Sequence, residues 1–245
     1  MNKMNKEREL IVAWQYPSTR EWIPIGRLSK KENLFCFVYT EGVKVAEKKG
    51  FLPFRYMTDF TKEYTSVQIF PTFANKILPK SRPEYNNYKE WLGLNGDSVL
   101  DELAMNNGIK ATDNIELYAI PQKKEFYEVE FFAHGLRHLP VYIENRFKKL
   151  KEKDTLYLAQ DVQNTSDDSA LLIRAESPAE LIGYVPRIYT KDITTLLKSD
   201  QKAELKVKKI NIEAPLQFRL LCEFRAKWQK DFKAFQDKKF HKVEY

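Results

Sequence analysis

Only two cysteines, Cys36 and Cys222, occur in 245 residues. They lie far apart, each inside a strand-like apolar run, so buried free thiols are the expectation. No apolar run approaches the roughly 18 residues needed to span a bilayer. The opening Met1-Asn2-Lys3-Met4-Asn5-Lys6-Glu7-Arg8 leads only into a short apolar stretch, Leu10 to Trp14. A soluble, cytoplasmic protein with no membrane partner is therefore expected. A phosphate-cradling Gly-rich loop with its Lys, a Gly-x-Ser-x-Gly elbow and a kinase catalytic-loop signature are all missing. Histidines are few, and the pair His134 and His138 stands four residues apart around Gly135 and before Pro140, which oppose a helix there. With no Cys or carboxylate set beside them, no metal site is expected. The expectation is a protein that is not an enzyme and carries no cofactor. No internal repeat or low-complexity stretch is present.

What the chain does have is core material: 43% apolar and 13% aromatic residues, enough for one large or two small domains. Its formal charge of +7 is unevenly spread. Residues 1–125 hold 19 Lys/Arg against 16 Asp/Glu, residues 126–200 hold 10 against 12, and residues 201–245 hold 12 against 6. Generic phosphate neutralisation would have to come from the C-terminal segment, where Arg219, Arg225, Lys227, Lys230 and Lys233 cluster. A solvated basic face is the other reading of that cluster.

Periodicity sets the organisation. Strands are expected over Leu10–Trp14 and Asn33–Tyr39, followed by helices over Val43–Lys49, Thr72–Leu78, Glu84–Leu92 and Ser98–Asn106, then a strand over Ile115–Ile120. Pro121-Gln122-Lys123-Lys124 is the best candidate boundary. Beyond it, Tyr127, Val129 and Phe131 alternate with Glu128 and Glu130, the pattern of a half-buried strand. A helix over Tyr142–Leu150 follows, then strands over Thr155–Ala159, Ala170–Arg174 and Leu181–Tyr184, a helix over Ile188–Leu197, and strands over Glu204–Ile212 and Gln217–Phe224. The fold class is α+β: a small mixed N-terminal domain, residues 8–122, and a β-barrel-like module with one or two helices, residues 124–245.

Phe51-Leu52-Pro53-Phe54, Phe70-Pro71-Thr72-Phe73-Ala74-Asn75 and Ser81-Arg82-Pro83-Glu84-Tyr85 followed by Trp91-Leu92 resemble the N-terminal subdomain of HipA-type Ser/Thr kinases, without the kinase body. In some bacterial toxin–antitoxin systems that subdomain is a separate protein that restrains the kinase. This resemblance implies a docking segment over residues 8–122 and a HipA-like kinase as partner.

Three further signatures occur in order: Gly135-Leu136-Arg137-His138-Leu139-Pro140, Asn164-Thr165-Ser166-Asp167-Asp168-Ser169-Ala170 and Gly183-Tyr184-Val185-Pro186-Arg187. Together they resemble the HIRAN domain, a small module whose best-understood members grip the 3′ end of single-stranded DNA. That resemblance implies single-stranded DNA as partner. Arg137, on a turn after Gly135, is suited to bidentate phosphate contact, and in the family the matching Arg takes part in DNA binding. Asp167 matches the family's Asp; an ionised carboxylate accepts a hydrogen bond from a 3′-hydroxyl and repels a 3′-phosphate. Asn164 either contacts ligand or braces the loop through an Asx turn. The family's stacking tyrosines are replaced by His138 and Ser166, and each base–aromatic stack contributes about 1–3 kcal/mol. Tyr184 is the candidate compensating stack and Arg187 a second phosphate contact; a plain strand residue and a surface charge are the other readings of that pair. His138 near Asp167 or Asp168 would imitate an acid–base pair for hydrolysis.

Overall fold

The computed structural model describes residues 8–110, 112–165 and 167–244. They form two compact units: residues 8–86, 94–120 and 235–244 lie in the first, and residues 87–93 and 121–234 in the second.

In the first unit five antiparallel strands lie in the order β4-β3-β2-β1-β5: β1 Glu9–Gln15, β2 Trp22–Lys31, β3 Leu34–Tyr39, β4 Tyr64–Ser66 and β5 Ile115–Ala119. Strand β2 is absent from the sequence expectation because Pro24 and Gly26 interrupt its pattern. The fold absorbs both residues. Pro24 falls at a register shift, where Val12 faces Gly26 and Ala13 faces Pro24, so the missing N–H costs no regular rung. Gly26 has no room for a side chain, since a Cβ would come within 2.5 Å of the Phe37 ring. Glu32 and Asn33, with φ of 46° and 72°, form the two-residue turn from β2 into β3.

Four helices complete the unit or run out of it: α1 Val43–Lys48, α2 Pro71–Ala74, α3 Tyr85–Trp91, whose residues from Asn87 on belong to the second unit, and α4 Val99–Met105. Ser98 caps α4, its hydroxyl accepting from the Asp101 N–H at 3.2 Å. Helix α2 stops well short of Leu78. The chain turns after Ala74 to bury Lys76, whose Nζ donates to the Gly108 carbonyl (3.0 Å), the Ile115 carbonyl (2.9 Å) and Asp113 Oδ1 (2.6 Å). Phe37, Tyr39, Phe51, Phe54, Phe70 and Phe73 pack as the core, mostly edge to face. Phe51, Phe54, Phe70 and Phe73, four aromatic residues of the kinase-subdomain resemblance, are thus interior, whereas Tyr85 and Trp91 are half-buried.

Residues 235–244 also belong to this unit, and residues 87–93 to the other. Lys242 bridges Thr40, the Val243 N–H donates to Tyr39 O (3.1 Å), and His241 O and Lys239 O accept from the Glu41 and Gly42 N–H groups (2.8 and 3.0 Å). Phe235, Phe240 and Val243 are buried.

The second unit holds six antiparallel strands in the order β6-β11-β10-β7-β8-β9: β6 Phe126–Phe132, β7 Thr155–Gln160, β8 Leu171–Ala175, β9 Glu180–Tyr184, β10 Glu204–Ile210 and β11 Leu220–Lys227. Helices α5 Ile143–Phe147 and α6 Thr190–Ser199 accompany them. Tyr127, Val129, Phe131, Cys222 and Phe224 fill the interior with Tyr189, Ile193 and Leu196; both cysteines of the chain are buried and free. The edge strands β6 and β9 are joined just past their ends by one bridge, His134 to Tyr184, with reciprocal N–H to O bonds of 2.9 Å. One rung does not make a ladder. The sheet is antiparallel and does not close into a barrel among the described residues, so the barrel-like part of the expectation is not confirmed; the chain leaves the sheet at the Gly135 turn before a second rung forms.

On the outer surface the alternating glutamates of β6 meet cations. Glu128 pairs with Arg225 (3.0 Å), and Lys208 with both Glu130 (3.2 Å) and Glu223 (2.8 Å). Arg219 of the basic cluster is held by Glu144 (3.0 Å) and the Ala214 carbonyl (3.1 Å). Of the five candidate phosphate cations, Lys227, Lys230 and Lys233 remain as exposed charges.

Candidate nucleic-acid interface

The three signatures meet around Tyr184. Gly135 adopts φ 77°, a left-handed conformation that lets the chain turn sharply from β6 into a 3-10 turn, Leu136–His138. A Cβ at Gly135 would lie 2.8 Å from Tyr184 Cδ2, so the glycine also allows the ring to pack against bare backbone. Leu136 is buried and anchors the turn. Arg137 and His138 project into solvent, where Arg137 Nε donates to His138 Nε2 at 3.1 Å.

The second signature is a loop pinned at its base by the Asp161 N–H to Ala170 O bond (2.9 Å). Asn164 Oδ1 accepts the Asp167 N–H at 2.9 Å, the bracing role foreseen as one of its two readings. Asp167 is the hub. Its Oδ1 accepts from the Ser169 N–H (3.0 Å) and hydroxyl (2.7 Å), and its Oδ2 pairs with Arg187 Nε at 3.1 Å. Thr190 Oγ1 donates to Arg187 O (2.9 Å) and lies 3.3 Å from Ser169 Oγ. Ser166, where the family has a tyrosine, lies outside the described residues.

Asp161 ties the second signature to the third. Its Oδ2 accepts the Tyr184 hydroxyl at 3.0 Å and the Asn164 amide at 3.5 Å. Burial, then the hydrogen bond and the charge of Asp161, raise the Tyr184 pKa above the ordinary phenol value. Thus Asn164, Asp167, Tyr184 and Arg187 form one connected network through Asp161, Tyr184 packs against Gly135, and Arg137 and His138 stand at the exposed end of the same turn. Asp167 takes Arg187 and Ser169, while His138 takes Arg137. Asp161, Ser169 and Thr190 were not singled out beforehand. Asp161, like Asp167, bonds the backbone N–H two residues on, at Gln163 and Ser169, as an Asx residue in a loop does.

Beneath this network His134 Nε2 is buried with no hydrogen-bond partner, and burial pushes the imidazole pKa down to about 4. The folded pKa lies below the ordinary 6.5, so the stability this group contributes is present above pH 6.5 and lost as pH falls towards 4. The loss is expected to reach about 3 kcal/mol. An acid melt of the protein with His134→Gln should lack the part of the pH dependence between 6.5 and 4; an unchanged profile would assign the acid lability elsewhere.

Residues 126–229 match the family model of the HIRAN domain. That span starts with β6 and ends just after β11, and it holds all three signatures. A HIRAN domain there supports a nucleic-acid-binding role. Among solved structures, the chain is similar to the HIRAN domain of human HLTF, at 15% identity over 41% of this chain and 76% of that one with a TM-score of 0.31. It is likewise similar to a protein from Lactobacillus plantarum, at 18% identity over 41% of this chain and 98% of that one, also with a TM-score of 0.31. No curated protein matches the chain. The HipA-like reading of residues 8–122, and with it the kinase partner, finds no support in these similarities. Among the described residues no helix is long and apolar enough to cross a membrane, and no group of three or more His, Cys, Asp or Glu is placed to hold a metal ion.

Proposed function

We propose that this chain binds single-stranded DNA without acting on it chemically, through the face where the three HIRAN signatures meet, and prefers an exposed 3′ end. The observation that carries the reading is the Asp167–Arg187 pair, a carboxylate and a guanidinium 3.1 Å apart in a network that also fixes the Tyr184 ring. Arg187 uses Nε for Asp167, and its remaining donors serve a phosphate oxygen. Arg137, exposed on its turn, supplies a second cation. Asp167 accepts from a terminal hydroxyl while its charge repels a terminal phosphate, and Tyr184 is the ring on which the last base stacks. The family this module resembles, whose best-understood members grip such ends, supports the same reading.

A fluorescence-anisotropy titration with 3′-hydroxyl, 3′-phosphate and blunt duplex DNA tests it. The 3′-hydroxyl strand should bind most tightly; equal affinity for all three would remove end recognition, and no binding would remove the nucleic-acid reading. Arg137→Ala should weaken single-strand binding by about 1–3 kcal/mol with little change in melting temperature, because the side chain is exposed. Asp167→Asn should abolish the hydroxyl preference and strengthen 3′-phosphate binding. Its amide still accepts from Ser169, but Arg187 is released from its counter-ion. A variant that keeps the preference would exclude Asp167 from end reading.

A further inference from the structure

The outer face of strands β7, β8 and β9 differs from the rest of the sheet. Over β6, β11 and β10 the outward residues are charged and neutralise one another: Glu128 with Arg225, Glu130 and Glu223 with Lys208, and Glu204 with Lys206. Over β7–β9 the register aligns Ala159, Leu172 and Tyr184 in one row and Tyr157, Arg174 and Leu181 in the next. Strict alternation would put Leu181 and Tyr184 on opposite faces. The irregularity between Ile173 and Arg174 inserts Ile182 without a partner, so Ile182 and Gly183 turn inward and are buried while Leu181 and Tyr184 share the outer face. Tyr157 is 46% exposed. Arg174 meets Glu176 at 2.5 Å, yet its side chain stays 45% exposed, leaving donors free for another anion.

We propose that this face is a second contact area for the same DNA strand, with Tyr157 stacking on a base and Arg174 meeting a phosphate beyond the terminal nucleotides. The inference rests on the single-strand reading of the signature site and extends it. Tyr184 belongs both to that site and to the first row of the face, so a strand leaving the site meets the face without a gap. Two strands across and two residues along place Tyr157 about 12 Å from Tyr184, the reach of a few nucleotides. An exposed ring beside a guanidinium is the combination that holds single strands without reading sequence.

Affinities of the full chain for a thymidine dinucleotide and a dodecanucleotide, both with free 3′-hydroxyls, test the proposal. Tyr157→Ala should weaken the dodecanucleotide by roughly 5- to 100-fold and leave the dinucleotide unchanged, while Tyr157→Phe should bind both like the wild type. Arg174→Ala should weaken the dodecanucleotide and lower its salt slope by about one phosphate. If Tyr157→Ala binds the dodecanucleotide normally while Arg137→Ala does not, the extension is wrong and the terminal site stands. Equal losses on both lengths also overturn it, since they place the effect in the terminal site. A wild-type protein that binds neither strand ends both readings.

Discussion

Truncation after Ala234 is expected to unfold the first unit or lower its stability by about 5–10 kcal/mol, although every residue up to Ile120 is kept. Phe235, Phe240 and Val243 are 3%, 6% and 3% exposed, and burying such a side chain contributes about 1.5–3 kcal/mol each. The same segment supplies the Lys242 bridge to Thr40 and accepts the Arg27 side chain at Phe240 O (2.9 Å), interactions of about 0.5–1.5 kcal/mol apiece. That sum is comparable with the whole stability of an ordinary domain. Differential scanning calorimetry of the full chain and of residues 1–234 should show loss of one transition, with the transition of the second unit retained. Identical traces would mean that the C-terminal segment is an ornament of the first unit. By the same argument residues 1–122 alone are a poor test of what the first unit binds, and 124–245 alone omits the stretch in which Trp91 O accepts the Asn211 amide (2.9 Å) and Tyr88 packs edge-on against Phe218.

The parts of the fold that were legible are those whose residues repeat at the period of their own element. Strand β6 alternates cleanly because one face meets the interior and the other meets water; Asp97 and Ser98 both offer the acceptor that the start of α4 needs, and Ser98 supplies it. Strand β2 was hidden because the signals that normally exclude a strand, Pro24 and Gly26, here sit at an irregular rung and beneath the Phe37 ring. The C-terminal segment was hidden for another reason. Its buried residues are too few and too irregularly spaced, between Gln236, Asp237, Lys238 and Lys239, to show a period, and only the partner strands give them an interior.

The candidate site divides in the same way. Each signature is local, so its turn chemistry could be read: the left-handed Gly135 and the Asx bond from Asp167 to Asn164 follow from residue type. Their convergence is not local. It depends on the single His134–Tyr184 rung and on Asp161, which looks like an ordinary loop acid until Tyr184 is brought within 3.0 Å. In the sequence Asp167 reads as a ligand contact and Arg187 as either a phosphate contact or a surface charge. The two turn out to be each other's first partner, which changes the expected outcome for either substitution.

Tyr184→Ala is therefore expected to have the largest effect on DNA affinity of any single change in the site, about 2–4 kcal/mol. Stacking accounts for about 1–3 kcal/mol of this, and about 1 kcal/mol more follows from leaving Asp161 Oδ2 without the phenol hydroxyl. Removing the ring also empties the space against Gly135, so the turn that presents Arg137 loses its support. Tyr184→Phe separates these contributions. It keeps the ring against Gly135 and removes only the bond to Asp161, so it should cost a few-fold in affinity. Titration of both variants against one 3′-hydroxyl strand, with circular dichroism to show that the fold persists, decides between a stacking ring and a merely structural one. If Tyr184→Ala keeps its secondary structure and binds as tightly as the wild type, Tyr184 is a strand residue and base stacking must be sought on other aromatic side chains of the second unit.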